Sequence, residues 1–137
     1  MRVLLLSLVL CLPCVAMAQS LVQLQAGYAD QAIRDDPSFK AFSSERGQRF
    51  FLSKHGNDWS CASCHTSDPM RSGKHDVTGR EILPMAPAAN PKRFADAAKA
   101  EKWFRRNCRD VLGRECSAQE KGDVLAWLGS LRTGGAR

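Results

Sequence analysis

The run Cys61-Ala62-Ser63-Cys64-His65 constrains this 137-residue chain more than any other stretch. A C-x-x-C-H string is the attachment site of a c-type haem. One helical turn brings both sulfurs to where they form thioethers with the two vinyl groups, and the adjacent imidazole then points at the iron. The same string also reads as a bare redox C-x-x-C or as half of a zinc site. Haem is favoured over both, because the chain reads as exported and then keeps no second ligand pair of the C-x-x-C type.

Export is read from the N-terminus. Met1-Arg2 is a short basic start, Val3 to Val15 is an apolar run, and Ala16-Met17-Ala18 is a small-x-small cleavage site before Gln19. Residues 1–18 therefore read as a signal peptide and 19–137 as one mature domain. The apolar run falls short of the roughly 20 residues that span a bilayer, so no membrane-spanning segment is expected. A lipoprotein signal fits poorly, since Leu10 and Pro13 precede Cys11 and Cys14 where a small residue is needed. Cys11 and Cys14 leave with the leader, and Cys61, Cys64, Cys108 and Cys116 remain. In the oxidising periplasm, Cys108 and Cys116 are expected to pair as a disulfide.

A domain of this size builds only a marginal core from its own side chains, and haem burial would enlarge it. Loss of Arg2 takes the formal charge from +6 to about +5, and two haem propionates would lower it further. Nucleic acid is not a sensible periplasmic target. The residual basic face instead suits an acidic protein, in this context a redox partner.

The pattern of elements is all-α, with helices joined by long loops and no internal repeat. A weak helix is expected around Leu24 to Arg34, stopping near Asp36-Pro37. Ser43 reads as the cap of a helix running through Phe50, Phe51 and Leu52 and ended by Gly56-Asn57. Another is expected from about Lys92 to Asn107, carrying Phe94, Ala97, Ala98, Trp103 and Phe104. The last opens on the capping box Ser117-Ala118-Gln119-Glu120 and runs to about Leu131, with Val124, Leu125, Trp127, Leu128 and Leu131 inward. Between 66 and 91, Pro69, Pro84, Pro87 and Pro91 with Gly73 and Gly79 mark a loop that should wrap one haem edge. The arrangement resembles a class I cytochrome c, in which an N-terminal helix bearing a Gly and an aromatic crosses a C-terminal helix bearing another aromatic. Gly47 with Phe50 or Phe51, against Trp127, fits that crossing.

The second axial position of the iron decides the function. Met70 and Met85 are the methionines left after the leader is removed. Met70 sits five residues past His65, too near to cross to the opposite face, whereas Met85 lies on a proline-rich loop and would make an electron carrier. His55 and His75 would give a two-histidine haem, though a surface or propionate-side position suits each better. Asn107 is a further candidate. On a helix it shares a face with Trp103 and Phe104, four and three residues earlier, and Cys108 follows it. Asn also serves well as a helix C-cap. Spacing leaves Asn107, Met85 and an empty position open.

The segments Lys102-Trp103-Phe104-Arg105-Arg106-Asn107-Cys108 and Glu115-Cys116-Ser117-Ala118-Gln119-Glu120-Lys121-Gly122-Asp123-Val124 resemble the sphaeroides haem protein (SHP) family. Thr78-Gly79-Arg80 and Asn90-Pro91-Lys92-Arg93-Phe94 fit the same pattern, so the similarity covers nearly all of the mature chain. The resemblance implies a class I-like cytochrome c domain over 19–137 with one covalently attached haem c. Cys61 and Cys64 would be the thioether sites, His65 the proximal and Asn107 the distal ligand. Cys108–Cys116 would be the disulfide beside Asn107, and Met85 a haem-packing residue. It further implies oxygen binding in the reduced state and a diheme cytochrome c as electron donor, often alongside a membrane cytochrome b.

An amide oxygen is a hard, neutral, weak-field donor that tolerates ferric iron and holds ferrous iron poorly. The leading expectation is thus a redox-gated, periplasmic cytochrome binding oxygen, nitric oxide or carbon monoxide, with oxygen reduction or nitric oxide consumption as the associated activities. An ordinary electron carrier using Met85 is the alternative, and a sensor or structural haem protein a third.

Overall fold

The core sits where α-helical stripes from the two ends of the chain meet. A computed structural model describes residues 16–133, with side chains from residue 21 onward, so the expected leader at 1–18 lies almost wholly outside the described residues. The elements are α1 (Ala16–Asp35), α2 (Ser44–Leu52), α3 (Cys61–His65), β1 (Gly73–Lys74), β2 (Glu81–Ile82), α4 (Ala97–Leu112) and α5 (Ala118–Ser130). Leu24, Tyr28 and Ala32 recur every fourth residue of α1, and this stripe packs on α5. From α5, Ala118, Val124, Leu125, Trp127 and Leu128 are buried, and Phe51 of α2, Ala100 of α4 and Phe94 join the same cluster. Each fully buried Phe or Leu here contributes about 1.5–3 kcal/mol by leaving water.

The crossing of α2 over α5 is set by glycine. A Cβ on Gly47 would lie 1.9 Å from the Asp123 carbonyl oxygen, so only hydrogen lets the two backbones meet. One turn later Phe51 meets Trp127 at 5.1 Å between ring centres. Phe50, the other aromatic expected at the crossing, lies against the ring of His55 instead, at 4.7 Å. Asp123 then locks the joint. Its Oδ1 accepts from the Ser43 backbone N–H at 2.6 Å, and its two oxygens take Arg46 Nε at 2.8 Å and Nη2 at 2.9 Å. Ser43 caps α2 as expected, its hydroxyl accepting from the Arg46 N–H at 3.2 Å.

Two expected boundaries are corrected. α1 begins at Ala16 rather than near Leu24, so the expected cleavage point falls in its first turn. The helix expected over about Lys92 to Asn107 is displaced by some five residues. Residues 91–95 form turns, with the Arg93 N–H donating to Asn90 O at 2.9 Å, and α4 starts only where Asp96 Oδ1 accepts from the Lys99 N–H at 2.9 Å. It continues to Leu112 because the residue that can leave the helix through left-handed backbone is Gly113, at φ 74°. Asn107 is therefore interior to α4 and not its C-cap. α5 opens on the expected box, Ser117 and Glu120 each accepting from the other's backbone N–H.

The fold is mostly helical. The all-α expectation omits a minimal antiparallel ladder inside the 66–91 loop, where Gly73 faces Ile82 and Lys74 faces Glu81. The ladder closes a turn in which His75 N–H donates to Arg80 O and Gly79 N–H to His75 O, both at 2.8 Å. No helix among the described residues is long and apolar enough to cross a membrane.

Candidate functional site

α3 is a single turn that ends on His65. It starts at Ser60, whose backbone N–H donates to Ser63 Oγ at 3.1 Å, and it stops because Thr66 adopts φ 62°. A β-branched residue in that region is strained, and here its hydroxyl donates to Asp68 O at 2.7 Å to hold the turn. The chain thus veers away directly after His65, leaving Cys61, Cys64 and the imidazole on one short turn. The 66–91 loop closes over its back. A Cβ on Gly73 would lie 2.0 Å from Cys64 O, so the loop backbone touches the attachment turn directly.

The chemistry of these side chains separates the readings of the string. Cys61 and Cys64 are both free thiols, and burial pushes the Cys61 thiol up to about 12. A redox C-x-x-C needs the reverse, a thiolate stabilised near neutral pH. Among the described residues no group of three or more His, Cys, Asp or Glu side chains is placed to hold a metal ion. His65 is largely buried, and burial, with the charge of Arg93, brings its ring down to about 4. It is a neutral imidazole at working pH, as a metal ligand must be. Its Nδ1 is buried without a hydrogen-bond partner, and the Phe51 ring lies 6.2 Å away.

The alternative ligands are engaged elsewhere. His55 Nε2 lies 2.9 Å from Phe50 O, and His75 Nδ1 accepts from the Thr78 N–H at 3.2 Å. Met85 packs its side chain on the helical core. The Met85 and Ala86 N–H groups both donate to Pro69 O at 2.9 Å, which ties Met85 to the segment that leaves His65.

Asn107 lies on α4, half-buried, and its amide makes no hydrogen bond among the described residues. Cys108 follows it and is joined to Cys116, with Cα atoms 5.6 Å apart, as expected. The bulky face expected around Asn107 is divided. Phe104 turns inward to meet Tyr28 edge-on at 6.1 Å, while Trp103 is 44% exposed and carries Arg106 over its ring at 5.7 Å. α4 is held at two places, by the disulfide to the start of α5 and by Glu101, which accepts from Tyr28 Oη at 2.6 Å and Lys121 Nζ at 2.7 Å. Sequence reasoning missed this network, since a buried lysine in an amphipathic helix gives no signal before its partner is known.

Comparison with known proteins identifies the family. The chain is 45% identical to the cytochrome c-type protein SHP of Cereibacter sphaeroides, over 93% of its own length and 96% of that protein. The chain belongs to the SHP-type cytochromes c. The structure of oxidised SHP, described as an oxygen binding cytochrome c, matches with a TM-score of 0.70 at 43% identity, covering 81% of this chain and 96% of the other. The solution structure of cytochrome c'' from Methylophilus methylotrophus, which bears on the structural basis of haem-ligand detachment, matches with a TM-score of 0.74 at 38% identity, covering 83% and 95%. Residues 37–128 match the family described as a domain of unknown function, DUF1924.

Relatives among SHP-type cytochromes c imply haem c for this chain, and the residues present fit it. Two thiols and a neutral imidazole share one turn, and a buried guanidinium nitrogen, Arg93 Nε, has no hydrogen-bond partner among the described residues. Cys61 and Cys64 would carry the thioethers and His65 would take the iron.

Proposed function

We propose that this SHP-type cytochrome is a periplasmic, redox-gated binder of diatomic gases, with one covalently attached haem c. Haem, when bound, would supply a one-electron centre with affinity for oxygen, nitric oxide or carbon monoxide in its reduced form. Cys61 and Cys64 would hold it through thioethers, and His65 would offer the iron a neutral nitrogen. Asn107 would offer its amide oxygen to the oxidised iron. That oxygen is a hard, weak-field donor that would hold reduced iron poorly, which would leave the Asn107 N–H₂ free to donate a hydrogen bond to a bound gas. The disulfide directly after Asn107 limits its travel, so rebinding stays local.

The observation that carries this reading is the uncommitted Asn107 amide in the interior of α4, flanked by the Cys108–Cys116 bond. Met85 is the weaker candidate, because its side chain is spent on core packing and its backbone is tied to Pro69. The oxygen binding of the SHP relative and the ligand detachment studied in cytochrome c'' support the same direction. Electrons come from a diheme cytochrome c, alongside a membrane cytochrome b. Lys99, Lys102, Arg105, Arg106 and Arg109 of α4 suit an acidic partner.

Asn107→Ala and Met85→Ala test the assignment. The ferric spectrum should change in Asn107→Ala and stay unchanged in Met85→Ala, with haem attached in both. The opposite pair of results would hand the position to Met85.

A further inference from the structure

Arg93 is a half-buried cation whose Nε finds no acceptor among the described residues. Its Nη2 donates to Leu83 O at 2.9 Å, while Nε is shut off from solvent with no hydrogen-bond partner. It has no carboxylate within ion-pair distance among the described residues. A guanidinium N–H shut off from water in this way is costly unless an acceptor meets it. The backbone around it is fixed rather than adaptable. Phe94 is buried in the core beside it, the Arg93 N–H donates to Asn90 O, and Asn90 Nδ2 holds Pro84 O at 3.1 Å. The Asn90-Pro91-Lys92-Arg93-Phe94 segment therefore holds the guanidinium against the 83–86 stretch, which Met85 and Ala86 tie to Pro69 just after His65.

We propose that Arg93 is the carboxylate-binding residue of the haem site, its Nε–H donating to a propionate. The assignment rests on the haem reading of Cys61, Cys64 and His65. A planar, permanently charged donor suits a carboxylate better than lysine would, through charge-assisted hydrogen bonding. It also gives Arg93 a functional consequence. A positive charge near the centre favours the reduced form, which is the form in which Asn107 is released.

The test uses the holoprotein with Arg93→Gln and Arg93→Lys beside the unaltered chain, after haem staining of a denaturing gel. Midpoint potential and the resonance Raman propionate-bending band are read. Arg93→Gln should move the band and lower the ferrous-to-ferric ratio at fixed potential by roughly tenfold, about 59 mV for one electron. Arg93→Lys should move the band while keeping most of the potential. An unchanged potential in haem-loaded Arg93→Gln overturns the proposal. If Arg93→Gln does not accumulate folded, an unmoved band in Arg93→Lys overturns it equally. Absence of stained haem from the unaltered chain would instead overturn the haem reading itself, a distinct result.

Discussion

Glu101 accepts a hydrogen bond from Lys121 at 2.7 Å, joining α4 to α5 six residues before Asn107. The lysine side chain is only 7% exposed, so the pair is a joint inside the protein rather than a surface contact. Tyr28 donates to the same carboxylate, and Lys121 lies over the Tyr28 ring at 5.2 Å. Three helices thus converge on one acidic group, and the disulfide holds the other end of the α4 segment that carries Asn107.

Replacing Glu101 by Gln should destabilise the protein by about 2–3 kcal/mol, because Lys121 is left buried without its anion. The partial exposure of Glu101 keeps the cost below that of a fully buried pair. Denaturant titration checks this, and the Glu101→Gln, Lys121→Met double variant should cost less than the sum of the single ones.

Acid stability follows from the same carboxylate. Burial would raise its protonation range, but hydrogen bonds from Lys121 and Tyr28, with the charges of Lys121 and Arg105, prevail and hold it below the ordinary value. The folded state therefore binds this proton less tightly than the unfolded state does. The contribution is complete above the unfolded value of about 4.3 and is lost as pH falls through the folded one. Unfolding free energy measured between pH 7 and pH 3 should fall less steeply in Glu101→Gln than in the unaltered chain.

Two glycine substitutions should differ in sign. Gly47→Ala drives a Cβ into the Asp123 carbonyl and should cost about 3 kcal/mol or more, at the upper end of overpacking penalties, since backbone cannot step aside. Gly27→Ala, in the interior of α1 with nothing within 4 Å of the added carbon, should stabilise by about 0.5–1 kcal/mol. Thermal melts of the two variants give the comparison directly.

Much of the fold is legible in the residues themselves, as are the short turn that carries the candidate site and the Cys108–Cys116 pairing. The C-x-x-C-H string, the Ser43 and Ser117 caps and the apolar spacing of α5 each carry a local rule that tertiary structure had no reason to override. The Gly47 crossing is legible because a close backbone approach excludes a side chain. The start of α4 is not, since Pro91 and the apolar Phe94 fit a helix as well as a turn, and Asp96 decides between them. Arg93 and Lys121 are equally hidden. Their roles depend on losing water, and a charged residue in a sequence carries no mark of where it ends up.

Opening the Cys108–Cys116 bond, which closes a loop of sequence separation 8, should cost about 2–3 kcal/mol in loop entropy. If Asn107 is the distal ligand, the ferric spectrum should also change slightly, because the tether beside it is lost. Paired Cys108→Ser and Cys116→Ser substitution, followed by denaturant titration and absorbance, measures both effects.

Asn107 as a ligand that departs on reduction is the central claim, and the spin state of the ferrous protein before and after carbon monoxide tests it most directly. A high-spin ferrous form that converts to a low-spin adduct on adding the gas is the expected result. A ferrous spectrum that is already low-spin and does not respond to carbon monoxide would contradict it.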